Sequence, residues 1–171
     1  FFSPVFNLQN IMIQDGTYLK QEEILNVIDI PFGENVFQID YHEIEKKVET
    51  IPYIQSAKAK LVIPNSMEIQ FEEREPVALV KYLESYLAMD KYGYILEITR
   101  EKKWSHLPII YNIEFESYEI GKQLTDTAKT KYDNVVYLLE NAKQQNFEYE
   151  LLEINYESIG NVKIYVAGGT R

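Results

Sequence analysis

The chain contains no cysteine and little glycine, and each shortage excludes a class of site. Its 171 residues include 7 glycines and 6 prolines. Without cysteine, neither a disulfide framework nor a thiolate zinc site can form. The few glycines build no P-loop, no G-x-G-x-x-G turn and no G-x-S-x-G elbow, and no H-E-x-x-H pair occurs. The sequence therefore carries no signature of nucleotide binding or of nucleophilic catalysis.

Long apolar runs and positive charge are also scarce. No stretch approaches the ~20 apolar residues that a membrane-spanning helix needs. Seventeen basic residues against 27 acidic ones leave a formal charge of -10, which repels a phosphate backbone and makes nucleic acid an unfavourable partner. Since 46% of the residues are hydrophobic, the chain can bury a core, and its length suits one domain or, as we favour, two small ones.

Two strands joined by a tight turn form the clearest local pattern. Met67, Ile69 and Phe71 alternate with polar residues, which indicates a strand with one buried face and one solvated face. Pro64 cannot donate to a strand ladder, so we expect the preceding strand to stop at Ile63 and the chain to reverse there. The pattern predicts an antiparallel hairpin.

An extended segment and two helices precede this hairpin. We expect the extended segment over residues 6–14, the first helix over residues 21–28 and the second over residues 40–50. Asp40, followed by Glu43 three residues later, is a capping-box start for the second helix. Three apolar residues on one face of that helix are expected to pack on the sheet: Ile44, Val48 and Ile51.

The order strand, helix, helix, strand, strand is that of a POTRA domain. Residues 22–78, with EEIL, ENVFQID and the run EIEKKVETIPYIQSAKAKLVIPNSMEIQFEEREPVA, resemble the extracytoplasmic region of the FtsQ/DivIB family of bacterial cell division proteins. The resemblance implies an α+β fold. It places a POTRA domain in residues 1–75 and a mostly antiparallel β domain with a packed helix in residues 76–171.

The pattern of the second half of the chain predicts short strands and one helix. Three strands between residues 77 and 99, with a turn at Gly93, predict an antiparallel meander. The segment LPIIYN resembles a strand of the family's β domain, with Asn112 in the turn that follows. Apolar residues at helical spacing predict a helix over Asp126–Lys143. Two alternating strands with a turn at Gly160 complete this half.

Histidines and glutamates are the candidates for chemistry. His42 and His106 match no metal-ligand spacing, and we interpret both as solvated. Glu72, Glu73 and Glu75 could in principle supply a carboxylate pair for glycan hydrolysis. A general acid, however, needs an apolar pocket to raise its pKa, whereas strand alternation places Glu72 on the solvated face. We therefore predict a protein without catalytic residues, metal or cofactor, and keep a cell-wall hydrolase as an alternative.

The Glu73-Arg74-Glu75-Pro76 signature lies where the two predicted domains join. Pro76 removes a backbone donor and stiffens the connection, and Arg74 can bind a carboxylate through both arms of its guanidinium. We expect Glu73, Arg74 and Pro76 to fix the angle between the domains.

Strand addition is the binding mechanism that the sequence favours. A terminal strand offers a row of unpaired backbone donors and acceptors to an extended partner segment. The last residues resemble a hairpin turn without a return strand, so we expect a C-terminal tail to be missing from this sequence. In the absence of that tail, we expect the strand Asn161–Ala167 to be such an edge. In the FtsQ/DivIB family the end of the β domain binds the small partner FtsB, or DivIC. The resemblance carries this role to five residues: Val162, Lys163, Ile164, Tyr165 and Val166.

The resemblance also implies a function. The chain would be the extracytoplasmic part of a single-pass membrane protein at the division septum, and its opening residues Phe1 and Phe2 would follow the membrane helix. It would bind FtsB/DivIC-like and FtsL-like proteins, contact membrane-embedded divisome proteins through the POTRA domain, and help regulate septal peptidoglycan synthesis. No small-molecule substrate is expected. The alternative within the binding proteins is a POTRA-containing outer-membrane assembly or secretion protein.

Overall fold

The computed structural model describes residues 3–100, 104–145, 151–158 and 160–167. Phe1 and Phe2, expected to follow a membrane helix, lie outside the described residues. The chain divides into two compact units, residues 1–74 and 75–171. Both units combine strands and helix, so the fold is α+β, as predicted.

The first unit is a three-stranded sheet with two helices. After a short 3₁₀ turn at Pro4–Phe6, its elements are β1 (Asn10–Ile13), α1 (Gln21–Leu25), α2 (Tyr41–Val48), β2 (Ile54–Val62) and β3 (Ser66–Glu73). The sheet order is β1-β3-β2, with β1 parallel and β2 antiparallel to the central β3. This confirms the predicted order of strand, helix, helix, strand and strand.

The hairpin alternation predicts the core of this unit correctly. Met67, Ile69 and Phe71 of β3 are buried, while Gln70 between them and Glu72 after them are exposed. The apolar face of α2 is also buried at Ile44 and Val48, and Ile51, which follows the end of the helix, is buried as well. Because helix and sheet each have one apolar face, α2 packs against β2 and closes the core on that side.

Both helices of this unit end earlier than expected, α2 at Val48 instead of residue 50. The Asp40 carboxylate accepts the Glu43 N–H at 3.0 Å, which confirms the predicted cap of α2. The α1 helix ends at Leu25 instead of Ile28, because the Val27 N–H bonds to the carbonyl three residues back and tightens the chain into a turn.

The second unit is a six-stranded sheet covered by a helix. Its strands are β4 (Pro76–Tyr82), β5 (Ser85–Asp90), β6 (Ile95–Thr99), β7 (Ile109–Tyr111), β8 (Leu151–Ser158) and β9 (Asn161–Val166). The order is β6-β5-β4-β7-β8-β9. Strands β4 to β6 form the predicted meander and β8 pairs antiparallel with β9, whereas β7 runs parallel to both β4 and β8.

Two turns of this sheet have the backbone that the sequence indicated. Gly93 has a φ of 83° and donates its N–H to the Asp90 carbonyl at 3.0 Å. Asn112, expected in the turn after β7, has a φ of 65°, a region that asparagine tolerates better than most residues. Both turn predictions are confirmed.

Helix α3 (Asp126–Gln144) packs on the sheet, as predicted. Four residues at helical spacing are buried there: Ala128, Tyr132, Val135 and Val136. The fully buried Tyr132 hydroxyl donates to the Asp90 carbonyl at 2.9 Å. Burial raises the pKa of Tyr132 well above its usual value, so the phenol remains a neutral donor. The helix is thereby tied to the turn between β5 and β6.

Candidate partner-binding strand

Strand β9 lies at one end of the six-stranded sheet and is paired on one side. Ile164 lies opposite Ile154 of β8, and Val162 lies opposite Tyr156. Among the described residues, no strand pairs with the other side of β9. Since an antiparallel strand directs alternate backbone groups to either side, half of its N–H and C=O groups point outward.

The side chains of β9 extend an apolar surface beyond the core. Ile164 and Val166, on one face of the strand, are 45% and 54% exposed, whereas Tyr165, on the face of Lys163, is 51% exposed. Cross-strand neighbours share a face of the sheet, so Ile164 lies on the same face as the buried Ile154. Val162 packs partly against the core of this unit. An apolar strip therefore runs from the core to the open edge.

Lys163 lies on the opposite face of β9 and forms an ion pair. Its ammonium donates to the Glu157 carboxylate of β8, which also accepts a hydrogen bond from the Asn161 amide at 2.8 Å. The hydrogen bond from Lys163 lowers the pKa of Glu157, and the same bond raises the pKa of Lys163. Both groups are therefore charged at neutral pH, which leaves one face of β9 polar and the other apolar.

Strand β6, at the other end of this sheet, is partly covered. The Ile95 N–H donates to the Lys122 carbonyl at 2.9 Å, and the Gly121 N–H donates to the Ile95 carbonyl at 2.7 Å. An isolated bridge joins Tyr94 to Gln123 just before the strand. The loop before α3 thus occupies the start of this edge, and β9 offers the more open of the two ends.

The edge strand β2 of the first unit is closed by side chains. The Ala57 N–H donates to the Glu49 carboxylate at 3.0 Å, and the Ala59 N–H donates to the Glu45 carboxylate at 3.0 Å. Glu45 lies in α2 and Glu49 caps its C-terminal end four residues later, so both project from the same side of the helix. The helix therefore supplies acceptors that a partner strand would otherwise provide.

Glu45 is a buried carboxylate with several partners. Lys58 Nζ lies 3.2 Å from its Oε1, and His42 Nδ1 lies 3.2 Å from its Oε2. Desolvation raises the pKa of Glu45, but the hydrogen bonds from the Ala59 N–H, His42 and Lys58 outweigh it and hold the pKa below the usual value. Sequence reasoning missed this residue. Its only signal was a carboxylate directly beside the apolar stripe of α2.

Glu73 of the predicted signature is bound within the first unit. Its Oε2 accepts the Thr17 N–H at 2.6 Å, and its Oε1 accepts the N–H groups of Tyr18 and Leu19, each at 3.0 Å. The carboxylate thus holds the loop before α1. Because both oxygens are already hydrogen-bonded, this geometry does not favour the glycan-hydrolysis role considered for Glu73.

Arg74 and Pro76 are the other two residues of the signature. The Arg74 N–H donates to the Tyr53 carbonyl at 2.7 Å. Pro76 is buried and begins β4 opposite Asp90. The effect of Glu73, Arg74 and Pro76 on the angle between the two units stays a prediction.

The two histidines lie in different units. His42 contacts Glu45, whereas the exposed His106 lies edge-on to Trp104, with ring centroids 6.0 Å apart. The Trp104 indole N–H donates to Glu97 at 2.7 Å. In the described ranges, no group of three or more histidine, aspartate or glutamate side chains is arranged to hold a metal ion.

None of the helices in the described residues is both long enough and apolar enough to cross a bilayer. The longest of them, α3, carries charged side chains along its length.

The first unit matches a family model of known proteins. Residues 6–74 match the family model described as POTRA domain, FtsQ-type. The matched range contains β1 to β3 with both helices and ends at Arg74. The predicted resemblance of this region is confirmed.

Curated relatives extend the similarity over most of the chain. The chain is 23% identical over 164 residues to "Cell division protein DivIB" of Clostridium tetani, covering 96% of this chain and 62% of the relative. It is 26% identical over 125 residues to "Cell division protein FtsQ" of Syntrophotalea carbinolica, covering 73% and 44%. It is 24% identical over 164 residues to the FtsQ of Geotalea daltonii, covering 95% and 58%. The chain therefore spans less than two thirds of each of these relatives.

Proposed function

We propose that the chain is a non-enzymatic scaffold of the division machinery. Residues 6–74 match the FtsQ-type POTRA family model, and the chain is similar over most of its length to FtsQ and DivIB cell division proteins. In this proposal it is the extracytoplasmic part of a single-pass membrane protein at the septum. It binds division partners and thereby helps regulate septal peptidoglycan synthesis. The names of the relatives and the open edge of β9 support this role.

The binding mechanism that we propose is strand addition to β9. A segment of an FtsB/DivIC-like protein pairs with the outward backbone groups of residues 162–166, and an FtsL-like protein joins the same complex. Backbone hydrogen bonds supply affinity, and alternate side chains supply specificity. The observation that carries this proposal is the exposed apolar strip at Ile164 and Val166 beside unpaired backbone groups.

The POTRA domain has a separate role in this proposal. We assign to it the contacts with membrane-embedded division proteins, on surfaces other than the closed β2 edge. Phe32 and Phe37 are 55% and 62% exposed, and the Phe37 ring lies 5.5 Å from that of Phe6. Such exposed aromatic side chains provide contact area with few rotatable bonds. We place the domain boundary after residue 75, next to Glu73, Arg74 and Pro76.

Proline substitution tests the strand assignment. Neighbouring residues of β9 direct their N–H groups to opposite sides of the strand. Of Ile164 and Tyr165, one therefore donates its N–H to β8 and the other directs its N–H outward. Proline removes the N–H at either position. We expect one of Ile164→Pro and Tyr165→Pro to abolish co-purification with FtsB/DivIC-like and FtsL-like ectodomains while leaving thermal stability nearly unchanged.

The control variant is Gln21→Pro, since Gln21 is exposed and is the first residue of α1 after the extended Lys20, a position that tolerates proline. Unchanged partner capture by both β9 variants would refute the assignment.

Incubation with purified peptidoglycan tests the non-enzymatic part of the proposal. Turnover that disappears in Glu73→Gln would favour the hydrolase instead.

A further inference from the structure

The second unit contains a groove that the proposed function does not use. It has a volume of about 830 Å³ and lies between the start of β6, the loop after β7 and the first turn of α3. Its floor is apolar, because Ile95, Leu124 and Ala128 are buried there. None of the residues that line it belongs to β9. Five inter-strand spacings separate β6 from β9, which corresponds to about 24 Å.

Aromatic rings form one wall of the groove. Phe115 and Tyr118 line it, and Tyr82 lies behind them. The Tyr82 ring stacks on Phe115 with centroids 5.0 Å apart and meets Tyr118 nearly edge-on, also at 5.0 Å. Each ring has a negative π face, which attracts a cation placed over it. Because three rings hold one another in place, these faces are preorganised.

The rim of the groove is acidic. Four carboxylates line it, those of Glu114, Glu116, Glu119 and Asp126, against the single ammonium of Lys122. Asp126 lies in the first turn of α3, where the helix dipole accounts for an acidic residue. The other three belong to no helix, so the dipole does not explain them.

These carboxylates are little neutralised by the fold. Glu114 is 88% exposed in its side chain and lies 3.7 Å from Lys131, a separation at which an exposed pair contributes little. Within the described part of the chain, the carboxylates of Glu116 and Glu119 make no hydrogen bond or ion pair. Aromatic faces and unpaired carboxylates therefore converge on one apolar groove.

We propose that this groove is a docking site for a cationic partner segment, in which arginine side chains alternate with apolar ones. A guanidinium would stack on the Tyr118 and Phe115 wall and pair with the carboxylates of Glu116 and Glu119. An apolar neighbour would fill the floor at Leu124. Charge complementarity selects this occupant, since the same rim repels anionic peptides, phosphates and anionic lipid headgroups.

Titration of the 171-residue chain with a short peptide tests the site. The probe is acetyl-Arg-Leu-Arg-Leu-amide, and its neutral match replaces each arginine with glutamine. In ¹⁵N-resolved NMR spectra we expect the arginine peptide to shift the amides of residues 114–119 and 124–128. We expect the glutamine peptide to leave them in place. A lysine version should bind more weakly than arginine, because ammonium stacks less well on aromatic rings.

Two pairs of variants separate the charge from the ring. Glu116→Gln with Glu119→Gln should weaken binding of the arginine peptide by roughly fivefold. Glu34→Gln with Glu140→Gln removes the same charge elsewhere and should leave binding unchanged. Tyr118→Leu should weaken it by about threefold, and Tyr118→Phe should bind as the parent does. All of these residues are exposed, so folding is expected to be retained.

Several results would overturn the proposal. They are shifts that map outside the groove, equal binding of the glutamine peptide, and equal weakening by the two pairs of charge variants. Because β9 takes no part, the variants that block partner capture at Ile164 should leave this titration unchanged. The two proposals can therefore fail independently.

Discussion

The two sheets each end in an edge strand, and these edges differ in what occupies their backbone groups. At β2, the N–H groups of Ala57 and Ala59 are hydrogen-bonded to carboxylates of α2. At β9, the described residues place no element against the outward side, and Ile164 is about half exposed. A strand at the end of a sheet is therefore not automatically a binding edge. The neighbouring element decides whether it is open.

The closure of β2 depends on small residues facing the helix. Ala57 and Ala59 have short side chains, so the carboxylates of α2 can reach the strand backbone between them. Protein sheets commonly protect their edges against unwanted pairing, and here a helix does so with two glutamates. The first unit thus disfavours strand addition at β2, whereas β9 favours it.

Removing the Glu45 carboxylate should have the largest effect on the difference between the closed β2 edge and the open β9 edge. We expect Glu45→Ala to lower the free energy of unfolding by about 2 kcal/mol, because the buried Ala59 N–H loses its partner. The open β2 edge should also increase self-association. Urea unfolding and analytical ultracentrifugation measure these two effects.

The control for Glu45→Ala is Glu43→Ala, which removes an exposed ion pair with Lys47 from the same helix. We expect it to cost about 0.4 kcal/mol at most. Similar losses in the two variants would mean that the hydrogen bond to β2 is unimportant.

Charges placed on the open edge of β9 should have the next largest effect, which is a loss of partner affinity instead of a loss of stability. Ile164→Lys with Val166→Lys puts ammonium groups on the apolar strip, as natural edge strands do. We expect partner affinity to fall at least about tenfold, with little change in stability because both residues are largely exposed. Isothermal titration calorimetry with an FtsB/DivIC-like ectodomain measures this. Leu83→Lys is the control, and an equal loss there would point to a general charge effect.

Acid should weaken the closure of β2. The folded-state pKa of Glu45 is lowered, so its carboxylate stabilises the fold above the ordinary glutamate value of about 4.3 and loses this contribution as the pH falls through the folded value. The difference in unfolding free energy between the parent and Glu45→Gln should therefore be largest near pH 7 and shrink below about pH 4. A difference that stays constant down to pH 3 would contradict the role of ionised Glu45.

The outer acceptor should matter least. Glu49 is exposed, so water can replace its carboxylate at the Ala57 N–H in Glu49→Ala. We expect a loss of about 0.5 kcal/mol in urea unfolding. A loss as large as that of Glu45→Ala would show that the two acceptors act as one unit.

Much of the fold was predictable because its signals are local. Alternation identified β3 and β9, helical spacing identified α2 and α3, and Gly93 marked its turn, whereas the turn at Asn112 was expected from the family resemblance. The α1 helix was predicted too long, since its end is set by a tightened turn with no strong stop signal such as proline or glycine. The residues proposed for β9 were also accessible from alternation. Glu45 and Glu49 were not, because exposed and strand-capping glutamates look alike in a sequence.

By itself, the sequence determined the elements, the POTRA order of the first unit and the lack of an assembled motif for catalysis, since periodicity and spacing act over a few residues. Only the tertiary structure decided that β7 lies between β4 and β8, that α2 closes β2, and that the segment 114–128 meets Ile95 around one groove while Tyr82 packs against its rings. These features join residues far apart in the chain. Their pairing depends on how the sheets assemble and is not encoded in any single segment.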